Sequence, residues 1–316
     1  MTTPTDLPEG APLRAFDREQ TAALLDFAEL VSALAQAAQE LEAGAIACPE
    51  RLVVPMGAGG VLLSMPAAAA DIAIHKLVTV QPANRQRQLP TIHGLVTACD
   101  AATGRPLCLL DGPELTARRT ATVSMLALRT LLAAPPGAVL LIGTGVQAAS
   151  HVLALAALHP QATVWVQGRA PAAAEAFCHA LRGRHPGLRA CGAQRPDQVD
   201  AVITLTTSQR AIYDEPARPG RLVIGVGAFK PEMAEIGAAT LAGSGLIADD
   251  PKGARHEAGD LLQAGVDWGR VGSLGQALRQ PPDLERPWVF KSVGSAAWDL
   301  AAARVALRRL GAALAR

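Results

Sequence analysis

Apolar and polar positions fall into two regimes along this chain. Between Arg51 and Leu110 the apolar residues come in short runs, over 52–54, 61–64, 72–80, 95–100 and 106–110, with Gly, Pro and Asn between them. Asp100-Ala-Ala-Thr-Gly104 reads as a hairpin turn, so this part predicts antiparallel sheet. Ahead of it, Asp17 and Gln20 form a capping box for a helix running to about Gly44, with Leu24, Phe27, Leu30, Val31 and Leu34 on one side. Residues 1–15 are Pro-rich and read as a loose arm. After Asp111-Gly-Pro113 the pattern changes. A helix over 114–133 ends at Pro135-Pro136-Gly137, and uncharged strands at 138–142, 163–167, 201–205, 222–226 and 246–248 then alternate with helices over 170–182, 253–264 and 273–279. That alternation predicts doubly wound βαβ units on a parallel sheet. A last helix over 295–314, rich in Ala and Leu, must bury its apolar face and is expected to return to the first domain.

The strand at 138–142 is followed at once by Gly143-Thr144-Gly145-Val146-Gln147-Ala148, the G-x-G-x-x-G/A turn in its strand–turn–helix setting. Gly143 permits the tight turn, Gly145 lets backbone N–H groups approach a pyrophosphate, and Ala148 keeps helix and strand close. The helix N-terminus adds partial positive charge for phosphate. Where NAD-selective domains carry an acidic residue on the ribose 2′-hydroxyl, this chain reads Gln167-Gly168-Arg169. The missing carboxylate and the arginine favour NADP(H) over NAD(H), with Gly168 and Arg169 at the 2′-phosphate. Thr206, Thr207 and Ser208 leave the next strand on the cofactor side, and Val226 and Gly227 close the one after it.

Composition narrows the partners. The 316 residues carry 29 basic and 28 acidic side chains, a net charge of +1, which gives no footprint for nucleic acid or an anionic membrane. Only 3% are aromatic, so the cores must be built from Ala, Leu and Val. Five cysteines without a CxxC pair point to a reducing cytoplasm, with neither a disulfide framework nor a zinc or other metal site. No secretory signal or membrane-length apolar run is expected.

Two features suggest substrate chemistry. Lys76 lies inside an otherwise apolar strand and needs an anionic partner if buried. Arg118 and Arg119 stand near the start of the long helix, where a cation opposes the macrodipole unless an anion joins it. Arg51, Lys76 and one of these two arginines could together clamp a carboxylate.

Arg51-Leu-Val-Val-Pro55, His75-Lys76-Leu-Val-Thr-Val, Asp111-Gly-Pro-Glu-Leu-Thr-Ala-Arg-Arg119-Thr-Ala, the Gly143 turn, Val226-Gly-Ala-Phe-Lys-Pro-Glu-Met-Ala-Glu235, Asp249-Asp250 and Phe290-Lys-Ser-Val-Gly294 follow one another in this order. On these segments the chain resembles the ornithine cyclodeaminase/μ-crystallin family over nearly its full length. The resemblance implies an α+β substrate-binding and dimerisation domain, residues 1–120 with 294–316, and an inserted Rossmann dinucleotide-binding domain, 121–293. It also implies a homodimer, and a substrate carboxylate held by Arg51, Lys76 and Arg119, with Lys76 and Arg119 as the catalytic pair.

One departure matters. Cyclodeaminases of this family carry an aspartate that engages the substrate amine where this chain has Phe229. A phenyl ring can neither take a proton nor stabilise an iminium by charge. Glu232 and Glu235 lie further along and are expected to cap or solvate the following helix. The expected reaction is therefore NADPH-dependent hydride delivery to a cyclic ketimine carboxylate, Δ1-pyrroline-2-carboxylate or Δ1-piperideine-2-carboxylate, with Phe229 as an apolar wall and the nicotinamide facing the interdomain cleft. The alternatives are an ornithine cyclodeaminase or amino-acid dehydrogenase of the same family, and a μ-crystallin-like small-ligand-binding protein. His93 is a candidate proton donor, and His75, which alternates with Lys76, is expected to be structural.

Overall fold

The structure, a computed structural model, describes residues 13–192 and 194–314. The chain divides into two compact units, one ending at Arg119 and resumed from Ser295, the other running from Thr120 to Gly294. The fold is α/β, a Rossmann-type parallel sheet in one unit and an α+β arrangement in the other.

The first unit holds a six-stranded sheet of β1 (Arg14–Phe16), β2 (Leu52–Met56), β3 (Gly60–Ala68), β4 (Ile72–Val80), β5 (Ile92–Asp100) and β6 (Pro106–Asp111), in the order β1-β6-β5-β4-β3-β2. Strands β2 to β6 are antiparallel, and β1 pairs in parallel with β6. Of the expected arm, residues 1–12 lie outside the described residues, and Arg14–Phe16 is strand rather than coil. The Asp100–Gly104 hairpin forms, with Gly104 at φ 72° and Asp100 Oδ1 accepting from Thr103 N at 2.8 Å. The capping box at Asp17 and Gln20 also forms. The helix it opens stops at Leu24, however, and a second helix, Phe27–Glu42, starts afresh. Asp26 is the reason: its carboxylate accepts from Ala28 N and Glu29 N, capping a new helix instead of continuing the old one. The last helix, Ala296–Leu314, packs on β3, β4 and helix Phe27–Glu42. Arg304 on it grips Asp71 at 2.8 and 2.7 Å and Glu40 at 2.6 Å.

The second unit holds β7 (Ala138–Ile142), β8 (Thr163–Gln167), β9 (Leu188–Ala190), β10 (Ala201–Thr204), β11 (Gln209–Tyr213), β12 (Leu222–Gly225), β13 (Ala234–Ile236), β14 (Gly245–Ala248), β15 (Val271–Ser273) and β16 (Trp288–Lys291). Eight of them form one sheet in the order β15-β14-β16-β12-β10-β7-β8-β9, parallel throughout, while β11 and β13 pair separately. The chain leaves β7 to one side for β8 and β9 and returns to the other for β10. The topological switch point therefore falls between β7 and β10, where such sheets bind ligands. Strands β9, β11, β13, β15 and β16 are not anticipated by the apolar pattern; all five are only three to five residues long. The expected helix over 253–264 is two helices, Pro251–Glu257 and Gly259–Gln263, because the backbone breaks at Ala258. The long helix starts at Gly112 and ends at Leu131, so Arg118 and Arg119 lie beyond its first turn and do not oppose the macrodipole as expected. Among the described residues no single helix is long and apolar enough to cross a membrane.

Candidate functional site

In the first unit, strand alternation decides which side chains go inward. Ile72, Ile74 and Lys76 share the buried face of β4, and His75 points the other way into an exposed hydrogen bond with Ser64 Oγ at 2.8 Å. Lys76 is 2% exposed, covered by helix Ala296–Leu314. Its Nζ lies 2.5 Å from Asp299 Oδ2, and Arg119 Nε donates to Asp299 Oδ1 at 3.0 Å. Two buried cations thus share one fully buried carboxylate. Burial drives the Lys76 pKa down to about 8; Asp299 pulls it back up, and the charges of Arg119 and Arg51 push it further down. Arg51, half-buried just before β2, therefore stands within electrostatic reach of the pair.

Arg118 takes no part. It pairs with Glu114 at 3.0 Å, donates to Leu25 O at 3.0 Å and stacks on the Phe27 ring at 4.7 Å. His93 is exposed on β5. Val96 is the direct partner of Lys76, and His93, an odd number of residues away, projects from the opposite face. Asp299 is the residue that sequence reasoning missed. The signal was present: a carboxylate in an Ala/Leu-rich helix is as anomalous as a lysine in an apolar strand.

In the second unit the dinucleotide-type residues gather at the carboxyl ends of the central strands. Gly143 adopts φ 139°, and a Cβ there would come 2.8 Å from Leu205 O, so only glycine lets the turn after β7 approach the chain leaving β10. A Cβ on Gly145 would meet nothing. Gly145 is the N-cap of helix Val146–Leu158, and no side chain caps its first N–H groups. Ala148 is fully buried, whereas Thr144 and Gln147 are half-buried and Val146 is exposed. These features leave an uncapped helix N-terminus over an open glycine, the geometry that suits a pyrophosphate.

At the end of β8, Gly168 is hemmed in by Ala170 O and Ala173, and Arg169 is exposed. Gln167 Oε1 accepts from Arg195 Nε at 2.8 Å, which the sequence did not foretell. Buried His151 fixes the fingerprint helix. Its Nδ1–H donates to Gln147 O at 2.7 Å, so Nε2 accepts from Ser124 Oγ at 2.9 Å, and burial lowers its pKa to about 4, leaving it neutral.

Thr206, Thr207 and Ser208, Val226 and Gly227 lie on the loops after β10 and β12, and Glu235 ties these loops together. Its Oε1 accepts from Thr206 N at 2.5 Å and Thr206 Oγ1 at 2.8 Å; its Oε2 accepts from Gly227 N at 2.6 Å and Thr204 Oγ1 at 3.0 Å. Behind it, Asp260 Oδ1 accepts from Glu235 N and, at 2.9 Å, Ile236 N, and Asp260 Oδ2 pairs with Lys291 Nζ at 2.5 Å. Burial raises the Glu235 pKa, which the charge of Lys291 partly offsets. The expectation that Glu235 caps or solvates a helix is therefore wrong. It sits in β13, fully buried, because four donors at the sheet ends need an acceptor. Glu232 is exposed on a turn. Phe229, in the loop after β12, is 42% exposed, with the neighbouring Ala228 fully buried.

The profile of the ornithine cyclodeaminase/mu-crystallin family matches residues 16–312. The chain is 53% identical over 303 residues to a Delta(1)-pyrroline-2-carboxylate/Delta(1)-piperideine-2-carboxylate reductase of Azospirillum brasilense, covering 96% of this chain and 97% of that protein. It is also 53% identical to Delta(1)-pyrroline-2-carboxylate reductase 2 of Burkholderia ambifaria, over 94% of this chain and 96% of that one. Among solved structures, the Thermococcus litoralis Delta(1)-pyrroline-2-carboxylate reductase in complex with NADH and L-proline superposes with a TM-score of 0.83 at 23% identity, covering 94% and 97% of the two chains, which establishes the shared fold.

Proposed function

Because the chain belongs to the ornithine cyclodeaminase/mu-crystallin family, we propose that it is an oxidoreductase acting on C=N bonds, reducing Δ1-pyrroline-2-carboxylate or Δ1-piperideine-2-carboxylate to proline or pipecolate with a nicotinamide dinucleotide. The observation that carries this reading is the buried pair of cations, Lys76 and Arg119, that a single carboxylate leaves under-neutralised. A small anionic substrate completes that balance. The reductase activities of the relatives on cyclic imine carboxylates support the same substrate class.

In this reading Lys76 and Arg119, with Arg51 beside them, hold and orient the substrate carboxylate. Positive charge next to the C=N bond makes its carbon more electrophilic, and fixing the ring lowers the entropic cost of reaction. Phe229 offers an apolar surface where the cyclodeaminase aspartate would stand. Glu235, the buried carboxylate that follows Phe229 in the chain, is committed to four donors and is not free to replace that aspartate. Ornithine cyclisation is disfavoured on that ground. Gly143, Thr144, Gly145, Val146, Gln147 and Ala148 would hold the pyrophosphate. Gly168 and Arg169 would hold a 2′-phosphate, which favours NADP(H), and Thr206, Thr207, Ser208, Val226 and Gly227 would line the nicotinamide end. When bound, the reduced nicotinamide supplies the hydride.

The first unit is the substrate-binding and dimerisation domain in this proposal, and the second is the dinucleotide domain. The edge strand β2 exposes Leu52, Val53, Val54 and Met56, which suits a homodimer interface. All five cysteines are free thiols, which supports a cytoplasmic setting.

The test is NADPH consumption with the five- and six-membered cyclic imine carboxylates, NADH alongside, and ammonia release from L-ornithine with NAD+ in parallel. The proposal predicts imine-dependent NADPH oxidation and no ammonia. Ammonia release with silent imines would overturn it in favour of the cyclodeaminase. Silence in both assays would favour a small-ligand-binding protein.

A further inference from the structure

Asp299 sits fully buried between Trp298 and Leu300, both also without solvent access, on a helix whose neighbouring turns are alanine. A carboxylate in that setting is costly unless paired. It is paired twice, one oxygen to Lys76 from β4 and the other to Arg119 from helix Gly112–Leu131. One side chain from the end of the chain therefore fixes two cations from elements far apart in sequence. The charged groups that act most strongly on Lys76 among the described residues are Asp299 from the last helix, Arg119 from the long helix, and Arg51 before β2. Burial and both arginines favour loss of the lysine proton, and Asp299 opposes them through its charge and its hydrogen bond.

We propose that Asp299 is the positioning residue of the carboxylate clamp, keeping Lys76 protonated and holding Lys76 and Arg119 on one anchor while leaving them net positive for the substrate. The inference rests on the clamp reading above. Asp299 acts through the two cations and needs no contact with substrate. A merely structural ion pair would affect stability alone. A positioning role also ties substrate affinity to pH. Lys76 is charged below about pH 8 and neutral above it, so kcat/KM falls on the alkaline side as the clamp loses charge.

The experiment compares the full-length wild type with D299N, D299E and K76M, recording the pH dependence of kcat/KM for the cyclic imine, NADPH affinity and the thermal midpoint. In wild type the alkaline limb is expected near pH 8. In D299N that limb moves acidward by about a unit or more, since the main influence that raises the Lys76 pKa is gone, while NADPH affinity stays within about twofold. D299E keeps the charge but displaces the anchor, so its limb stays while KM rises on the order of tenfold. A folded D299N with the wild-type limb overturns the inference. Should D299N fail to fold, D299E decides: an unchanged KM overturns it equally. K76M keeps the two readings apart. If K76M turns over like wild type, the clamp reading itself has failed. If K76M is crippled while the Asp299 variants keep the wild-type limb and KM, only the role of Asp299 has.

Discussion

Two buried charge clusters, one in each unit, look alike in composition and differ in what they leave over. In the first, Lys76 and Arg119 share Asp299: two cations on one carboxylate. In the second, Glu235 and Asp260 face Lys291: two carboxylates and one cation, with the surplus negative charge consumed by backbone and hydroxyl donors from Thr204, Thr206, Gly227 and Ile236. The second cluster satisfies itself and holds loops. The first does not, and its surplus is positive, beside a lysine whose pKa burial has brought down to about 8. Burial of charge by itself says little about function. In the proposed function, sign and residual charge separate a staple from a binding site.

The largest expected effect is in the first cluster. K76M or R119M strands the buried Asp299 with one partner, and kcat/KM should fall about a hundredfold or more, in line with roughly 3 kcal/mol for truncating one side of a buried pair. Steady-state kinetics and NADPH titration measure it, with NADPH affinity expected to hold. Next comes E235A, which leaves four buried or half-buried donors without their acceptor. It should cost about 3 kcal/mol in urea unfolding and weaken NADPH binding, and carboxylate binding by the folded fraction should persist. G143A forces a side chain into φ 139° against Leu205 O and should cost about 1–3 kcal/mol and most of the NADPH affinity, as read by fluorescence titration. The smallest effect is R169A. It removes an exposed cation, so stability should shift by no more than about 0.5 kcal/mol, and NADPH should lose about tenfold in affinity with NADH unchanged.

The comparison also explains what could be read from the sequence. Backbone-encoded features were legible: the glycine turn at Gly143, the Asp17 capping box, the Asp100–Gly104 hairpin and the central strands of the parallel sheet each write their geometry into local residue type. Short strands such as Ala234–Ile236 and Val271–Ser273 were not, because three residues cannot display a period. Asp26 broke a helix that apolar spacing alone would have continued. In the site, Lys76 stood out as a charge within an apolar strand, and strand alternation correctly set His75 on the other face. Its partner Asp299 and the four-donor role of Glu235 depend on contacts between residues far apart in the chain, which no local pattern records.

The most direct measurement is calorimetric titration of L-proline, the product of the proposed reaction, into the NADPH-saturated wild type, K76M, R119M and E235Q. The account predicts binding to wild type, loss of binding in both clamp variants, and retained binding in folded E235Q, since Glu235 holds loops and not the carboxylate. Wild-type proline affinity in K76M and R119M would contradict it.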